Sequence, residues 1–272
     1  MVDMILASVN WAQVGIVLGI FAAIALLLTV CILLVAKFCK TNADEKVENI
    51  LSHLAGANCG GCGCTGCAGF AEKLAKGEAN LSDCHVTESA QKAIIAEALG
   101  IPFTQSKPTV SVCRCSGGKN AKDAFTYCGA ENCAEEAKLS GGRKVCKYGC
   151  LGDGNCARVC PENAICIADE KADVDPDKCI SCGACILACP KGLFARIPAD
   201  AKVYVACSSH ERGKAVMDAC AYGCIGCGKC ARTCPEGAIT MQDNLPVIDY
   251  NKCVNCGKCA EACPRKTIRT RY

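Results

Sequence analysis

The stretch CIGCGKCARTCP, residues 224–235, places four cysteines within eleven residues and a proline after the last. Its spacing, C-x2-C-x2-C-x3-C-P, is typical of bacterial ferredoxins that carry two [4Fe-4S] clusters. Three thiolates of one tight loop can bind three iron corners of a cubane, while the fourth cysteine serves the neighbouring cluster. The stretch therefore predicts a metal-organised fold in which paired motifs share cofactors.

The same motif occurs again downstream and upstream, which predicts crossed ligand sets. The copies are Cys253, Cys256, Cys259, Cys263-Pro264 and Cys179, Cys182, Cys185, Cys189-Pro190. In the downstream pair, one predicted cluster is held by Cys224, Cys227, Cys230 and Cys263. Its mate is held by Cys253, Cys256, Cys259 and Cys234.

A larger repeat surrounds these motifs. A shift of 74 positions carries each of these cysteines onto another cysteine: Cys133, Cys146, Cys150, Cys156, Cys160, Cys179, Cys182, Cys185 and Cys189. Asp153 breaks the match because it stands where the second copy has Cys227. The upstream unit must therefore recruit another thiol, and Cys146 is nearest in sequence.

This repeat yields two further predicted clusters. The first has the ligands Cys146, Cys150, Cys156 and Cys189, and its mate has Cys160, Cys179, Cys182 and Cys185. The segments after the motifs alternate in the manner of a strand, a turn and a strand. Cys166 takes an apolar strand position there and is expected in the core rather than on iron.

A different spacing lies nearer the N-terminus. Cys59, Cys62, Cys67 and Cys84 form C-x2-C-x4-C-x16-C within a glycine-rich loop. The following segment has helical periodicity, with Phe70 and Leu74 on one face. We predict a fifth [4Fe-4S] cluster here, with structural zinc as the alternative because zinc also accepts four thiolates.

Composition limits the remaining function classes. The chain has 30 cysteines in 272 residues but only three histidines and a net charge of +3. Clustered thiols in a reducing compartment indicate metal ligands rather than disulfides. No basic-aromatic interleaving supports nucleic-acid binding. No G-x-G-x-x-G follows a predicted strand, no P-loop is present, and no residue is identified as a catalytic acid, base or nucleophile.

Residues 14–36 form one uncharged apolar run, long enough to cross the hydrocarbon core of a bilayer. A signal peptide is the alternative, but its apolar region is shorter and follows a basic start. Lys37 and Lys40 follow the run and place the bulk of the chain in the cytoplasm.

The expected fold class is α+β: a single transmembrane helix, a small helical [4Fe-4S] domain and two tandem two-cluster ferredoxin-like units. The expected segments are an anchor at 1–40, the N-terminal cluster domain at 41–104, a connection at 105–145, unit one at 146–198, a connection at 199–219 and unit two at 220–272.

These features together resemble the iron–sulfur B subunit of the Rnf complex, an ion-translocating ferredoxin:NAD+ oxidoreductase also called an electron transport complex. The resemblance rests on CGGCGCTGCAGFAEKLAKGE, VCKYGCLGDGNCARVCP and YGCIGCGKCARTCP. It implies a bacterial or archaeal inner-membrane complex in which this chain takes electrons from reduced ferredoxin. It also implies that partner subunits carry the flavin and NAD chemistry.

Two other functions remain open, an autonomous membrane-tethered polyferredoxin and a zinc-organised interaction module. The cluster count also remains open, at five or six. The candidate extra ligands are Cys113, Cys115, Cys128, Cys133, Cys207 and Cys220, and Cys64 is a spare thiol. The sequence leaves undecided whether Na+ or H+ would be moved.

Overall fold

The computed structural model describes residues 11–38, 42–104 and 107–271. The chain divides into two compact units, Met1–Ser52 and His53–Tyr272. The boundary falls inside the segment 41–104 that the sequence predicts as one domain.

The first unit is helical. Helix α1 spans Trp11–Phe38, and helix α2 spans Asn42–His53, ending just past the boundary. Side chains 18–34 of α1 are all exposed. Among the described residues, no helix combines the length and the hydropathy of a membrane span. Lys37 and Lys40 together predict the orientation of the chain in the membrane, and Lys40 lies outside the described residues.

The second unit begins with a small helical subdomain. Helix α3 spans Cys67–Lys76, a short 3-10 turn spans Leu81–Asp83, and helix α4 spans Ser89–Leu99. The apolar face predicted for α3 is buried, with Phe70 and Leu74 packed inside. Gly77 ends α3 in the left-handed conformation, at φ 74°, which costs little without a β-carbon.

Eight short strands follow over the described residues and form four two-stranded sheets. They are β1 Thr109–Cys113, β2 Ile165–Ala168, β3 Lys171–Val174, β4 Phe194–Pro198, β5 Val203–Val205, β6 Ile239–Gln242, β7 Leu245–Ile248 and β8 Ile268–Thr270. The accompanying helices are α5 Cys133–Lys138, α6 Asn155–Arg158, α7 Ala184–Ala188, α8 Lys214–Ala219, α9 Lys229–Thr233 and α10 Lys258–Ala262. A second 3-10 turn spans Gly118–Asn120.

The strand pairing makes two copies of one ferredoxin-like unit. Strands β2 and β3 form a hairpin, as do β6 and β7, and this confirms the predicted strand–turn–strand pattern. Both hairpins turn through two residues of positive φ, Asp169 with Glu170 and Asp243 with Asn244, as the twist of paired strands favours. Strands β1 and β4 close the first unit, and β5 and β8 close the second.

The pairing extends each unit upstream of its predicted start. Strand β1 comes from the predicted connection 105–145, and β5 comes from the predicted connection 199–219. Local sequence does not predict this extension, because β1 and β5 find their hydrogen-bond partners in β4 and β8, which follow distant C-P motifs. Cys113 faces Phe194 across the first pair, and Val205 faces Ile268 across the second.

Apolar side chains between the hairpin and the paired strands form a small core in each unit. The first core includes Ile165, Leu193 and Phe194, and the second includes Val203, Ile239 and Ile268. Cysteines of the motifs pack against both cores. The prediction that Cys166 belongs to the core is wrong, because its side chain points from β2 into solvent.

Candidate metal centres

The two downstream motifs bring their cysteines together in the crossed arrangement. One cavity, of about 20 Å³, is lined by Cys224, Cys227, Cys230 and Cys263. A second, also of about 20 Å³, is lined by Cys234, Cys253, Cys256 and Cys259. Helices α9 and α10 begin inside the two cysteine loops, after Gly228 and Gly257 in the left-handed conformation. Each loop therefore turns tightly enough to direct three thiols into one space.

The first ferredoxin-like unit has the equivalent of the second cavity. Cys160, Cys179, Cys182 and Cys185 line it together with residues from the β2–β3 hairpin. Arg196 of β4 reaches this loop and donates from Nε to Ser181 O at 3.2 Å and from Nη2 to Cys182 O at 3.1 Å. A fixed positive charge thus lies directly behind these thiols.

The glycine-rich loop of the helical subdomain forms a further cavity. Cys59, Cys62, Cys67 and Cys84 line it, and Phe70 closes its apolar side. Cys182 of the first ferredoxin-like unit also lines this cavity. A β-carbon on Gly61 would collide with the Cys182 carbonyl, so the two cysteine loops pack backbone against backbone. This close approach juxtaposes the two sites.

The donor sets of these four cavities fit iron–sulfur clusters. Each cavity is lined by the four thiols of one predicted set and by apolar side chains, and backbone N–H groups point at the last cysteine of three of the four C-P motifs. Ala164 donates to Cys160 Sγ at 3.3 Å, Leu193 to Cys189 Sγ at 3.5 Å and Thr267 to Cys263 Sγ at 3.3 Å. Such N–H···S bonds set the potential of thiolate-bound clusters. Within the described residues, no three Cys, His, Asp or Glu side chains are arranged to share a single metal ion.

Burial keeps several of these thiols protonated when no metal is bound. It raises the pKa of Cys185, of Cys224 and of Cys259 to about 11. Metal binding requires thiolates, so cluster insertion must displace protons from these residues.

The thiols around Cys150 lie in a buried cluster that includes Cys156, with Cys189 packed against it. Burial, followed by the neighbouring Cys150, Cys133 and Cys189, raises the pKa of Cys156 to about 12. Those four thiols therefore lie within electrostatic range of one another. Cys133 begins helix α5, and its N–H donates to Asn155 Oδ1 at 3.0 Å beside the Cys150 loop. Cys113 packs with Cys150 and Cys156 in the same buried cluster, and its thiol lowers the pKa of Cys150.

Cys146, predicted as the fourth ligand there, lies elsewhere. It lines a cavity of about 260 Å³ with Cys115, Cys207 and Cys220. Local spacing cannot reveal this group, because its members come from four separate chain segments. The 74-residue repeat, which relates Cys146 to Cys220, is the one feature of the sequence that connects two of them. Cys128 is exposed, as is Cys166.

Asp153, at the position of the missing cysteine, belongs to an ion-pair network. Its Oδ1 lies 3.4 Å from Arg143 Nη1, and Arg143 also pairs with the fully buried Glu136. Burial raises the pKa of Glu136, while Arg143 opposes that rise. Asp153 Oδ1 is thus engaged in an ion pair, whereas Asp153 Oδ2 is buried without a hydrogen-bond partner among the described residues.

Family models match three parts of the chain that contain these cavities. A 4Fe-4S dicluster domain matches residues 223–267, a 4Fe-4S binding domain matches residues 172–193, and an Fe-S cluster family matches residues 54–86. Several iron–sulfur domains are therefore present, in agreement with the predicted class of cofactor.

Similar proteins extend the match over most of the chain. The B subunit of the Na(+)-translocating ferredoxin:NAD(+) oxidoreductase complex of Acetobacterium woodii is 37% identical over 86% of this chain and 71% of its own length. The chain belongs to the Rnf B-subunit family. The B subunit of the ion-translocating oxidoreductase complex of Methanosarcina acetivorans is 37% identical over 86% of this chain and 90% of its own length.

A third relative of the Rnf B-subunit family, from Clostridium ljungdahlii, is 35% identical over 75% of this chain and 72% of its own length. Its name describes a proton-translocating ferredoxin:NAD(+) oxidoreductase complex, whereas the Acetobacterium relative is named for Na+. Family members of similar identity to this chain thus differ in the ion their names give. The family prediction made from the cysteine motifs is confirmed.

Proposed function

We propose that this chain is the electron-input subunit of an Rnf-type complex, which couples electron transfer from reduced ferredoxin to NAD+ with translocation of Na+ or H+. Membership of the Rnf B-subunit family, together with the crossed four-cysteine cavities, carries this proposal. When bound, [4Fe-4S] clusters accept and donate single electrons, which is the chemistry an input subunit needs. The NAD and flavin sites then belong to partner subunits.

The proposed ligands of four clusters are the thiols that line the four small cavities. They are Cys59, Cys62, Cys67 and Cys84; Cys160, Cys179, Cys182 and Cys185; Cys224, Cys227, Cys230 and Cys263; and Cys234, Cys253, Cys256 and Cys259. The cysteine loops hold the thiols, and the backbone N–H groups and Arg196 offset their negative charge.

For the fifth cluster, the contacts favour Cys133 over Cys146 as the partner of Cys150, Cys156 and Cys189. The Cys133 N–H donates to Asn155 Oδ1 at 3.0 Å, which places the start of α5 against the loop that carries Cys150 and Cys156. Asp153 occupies the position of Cys227 and pairs through Oδ1 with Arg143, and we propose that a thiol from α5 takes the place of the missing loop ligand.

Helix α1 is proposed as a membrane anchor. Its large apolar side chains stand in solvent, with Leu26 exposed by 68% and Ile32 by 67%. An exposed apolar surface on this scale is costly in water and is relieved by lipid or by a partner subunit. Lys37 follows the apolar run, which supports a cytoplasmic location for the cysteine-rich unit.

The test is the iron and acid-labile sulfide content of the full chain prepared without oxygen. Five clusters correspond to about 20 irons per chain. Iron-free material that is folded and active would contradict the proposal, and stoichiometric zinc would indicate the interaction-module alternative. Native purification through this chain then separates the remaining possibilities. Recovery of flavin-carrying membrane subunits supports the complex, whereas a fully active single chain supports an autonomous polyferredoxin.

A further inference from the structure

The cavity lined by Cys115, Cys146, Cys207 and Cys220 matches none of the five predicted ligand sets, although three of these thiols are among the candidate extra ligands. Its volume of about 260 Å³ exceeds that of each motif-lined cavity, so space does not limit binding there. Cys207 and Cys220 are buried, and Cys115 and Cys146 are half-buried. Apolar side chains such as Val145, Ala206 and Val216 complete the wall.

The four thiols are related by the pseudosymmetry of the two ferredoxin-like units. Cys115 lies two residues after β1, and Cys207 lies two residues after β5. The N–H of Cys150 donates to Cys115 Sγ at 3.4 Å, and the N–H of its repeat mate Cys224 donates to Cys207 Sγ at 3.4 Å. Each unit therefore positions one thiol by the same backbone contact.

The other two thiols obey the same symmetry. Cys146 and Cys220 are repeat mates, 74 positions apart. Each is followed two residues later by a tyrosine, Tyr148 or Tyr222, that also lines the cavity. Each unit thus contributes two thiols, and one of the two accepts a backbone N–H···S bond, the contact that stabilises thiolates on iron–sulfur clusters.

The sulfurs from the two units face a common space. A β-carbon on Gly117 would stand 3.3 Å from Cys220 Sγ and 3.6 Å from Cys115 Sγ, so these two sulfurs are less than 7 Å apart. A single zinc ion, with bonds of about 2.3 Å, would draw its sulfurs to about 4 Å from each other. A cubane holds its thiolates farther apart, because each binds a different corner.

The backbones that carry these thiols are joined across the two units. Ser208 Oγ donates to Arg114 O at 3.1 Å, next to Cys207 and Cys115 respectively. Cys220 forms a β-bridge with Ala121, and Lys122 N donates to Ala219 O at 2.9 Å. The thiols therefore have a rigid frame that spans the junction.

From this geometry we infer that Cys115, Cys146, Cys207 and Cys220 bind a sixth [4Fe-4S] cluster, which joins the two ferredoxin-like units into one electron path. The inference rests on the proposed iron–sulfur function. The Cys150 loop lies on one side of the site and the Cys224 loop on the other, so the junction lies between two predicted clusters. One electron enters and one leaves at the site, and no substrate bond forms or breaks.

The test compares the full anaerobic chain with the double variant Cys146→Ala/Cys220→Ala, which removes one thiol from each unit. We expect about 24 irons per chain in the parent and about 20 in the variant. Acid-labile sulfide falls by the same number, and a reductive titration takes up about one electron fewer. The matched control, Cys128→Ala/Cys166→Ala, removes two exposed thiols and retains the parent iron content.

Unchanged iron in the double variant overturns the sixth site, as does a zinc ion that is lost in its place. A parent with about 20 irons overturns the sixth site while the five-cluster relay stands. A parent protein that contains no iron overturns both the sixth site and the proposed five-cluster relay. If circular dichroism shows that the double variant is unfolded, Cys207→Ser decides by the same readout: a loss of about four irons supports the site, and unchanged iron overturns it.

Discussion

Asp153 Oδ1 lies 3.4 Å from Arg143 Nη1, at the position where the second ferredoxin-like unit has the cluster-loop cysteine Cys227. The guanidinium thus engages one carboxylate oxygen, while Oδ2 is buried beside the cysteine loop with no hydrogen-bond partner in the part of the chain that the structure describes. The thiol of Cys133 lies beside the same loop. On the proposed ligand sets, the two copies of one unit hold equivalent sites with different ligands.

We predict that Cys133→Ser reduces the cluster content of the Cys150 loop, while Asp153→Asn retains it. A serine hydroxyl is a poor ligand for iron where a thiolate is required, so one to four irons per chain are lost. Iron analysis and electron paramagnetic resonance of the reduced protein measure the loss. A full iron complement in Cys133→Ser, with a deficit in Asp153→Asn, would assign the ligand to Asp153.

The buried Glu136 carboxylate is predicted to be a main stabilising contact of the connecting segment. It accepts from Arg143 N at 2.7 Å and from the Arg143 guanidinium. Glu136→Gln removes the carboxylate charge that pairs with this guanidinium. The free energy of unfolding is therefore expected to fall by about 3 kcal/mol. Anaerobic thermal unfolding measures this as a lower midpoint.

The adjacent Glu135 provides a matched control for Glu136. It forms an exposed pair with Lys138 at 2.9 Å, and such pairs contribute less than about 0.5 kcal/mol. Equal unfolding midpoints for Glu135→Gln and Glu136→Gln would show that the buried ion pair stabilises the fold no more than the exposed pair does.

Gly61→Ala is predicted to separate the N-terminal cysteine loop from the first ferredoxin-like unit. The added β-carbon collides with the Cys182 backbone, which cannot rotate away, so a cost of about 1–3 kcal/mol is expected. Transfer of electrons between the two sites slows, as measured by the reduction rate of the distal clusters. The control Gly19→Ala adds the same methyl group where no described atom lies within 4 Å. It should change neither the stability nor the reduction rate of the distal clusters.

Arg196 is predicted to raise the potential of the cluster held by Cys182. Its guanidinium lies behind the cysteine loop and favours the reduced, more negative state. Arg196→Gln therefore lowers the midpoint potential in a spectroscopic redox titration, whereas Arg196→Lys keeps the positive charge and lowers the midpoint potential much less. Equal potentials in all three proteins would refute an electrostatic role.

Removal of iron is predicted to unfold the ferredoxin-like units. Their cores contain few large apolar side chains, and cysteines supply much of the packing surface. Burial raises the pKa of Cys224 and Cys259 to about 11, so the freed thiols become neutral and no longer hold the loops. Far-UV circular dichroism before and after anaerobic chelation checks this, and native signal in iron-free protein would contradict it.

The sequence alone determined the local loops and their pairing. Three cysteines within seven residues, as at Cys253, Cys256 and Cys259, can reach one cofactor whatever the rest of the chain does. The repeat of 74 residues likewise predicted two copies of one unit, and strands β2 and β3 recur at that spacing as β6 and β7. These features depend on short-range geometry, which spacing records directly.

Only the tertiary structure decided which distant thiols lie together. Cys133 and Cys146 are both upstream of the Cys150 loop, and proximity in sequence favoured Cys146. The fold instead directs Cys146 towards Cys220, because β1 and β5 pair with strands after distant C-P motifs and so bring the starts of the two units together. Which thiols meet across that junction depends on how the units pack, and no local spacing encodes it.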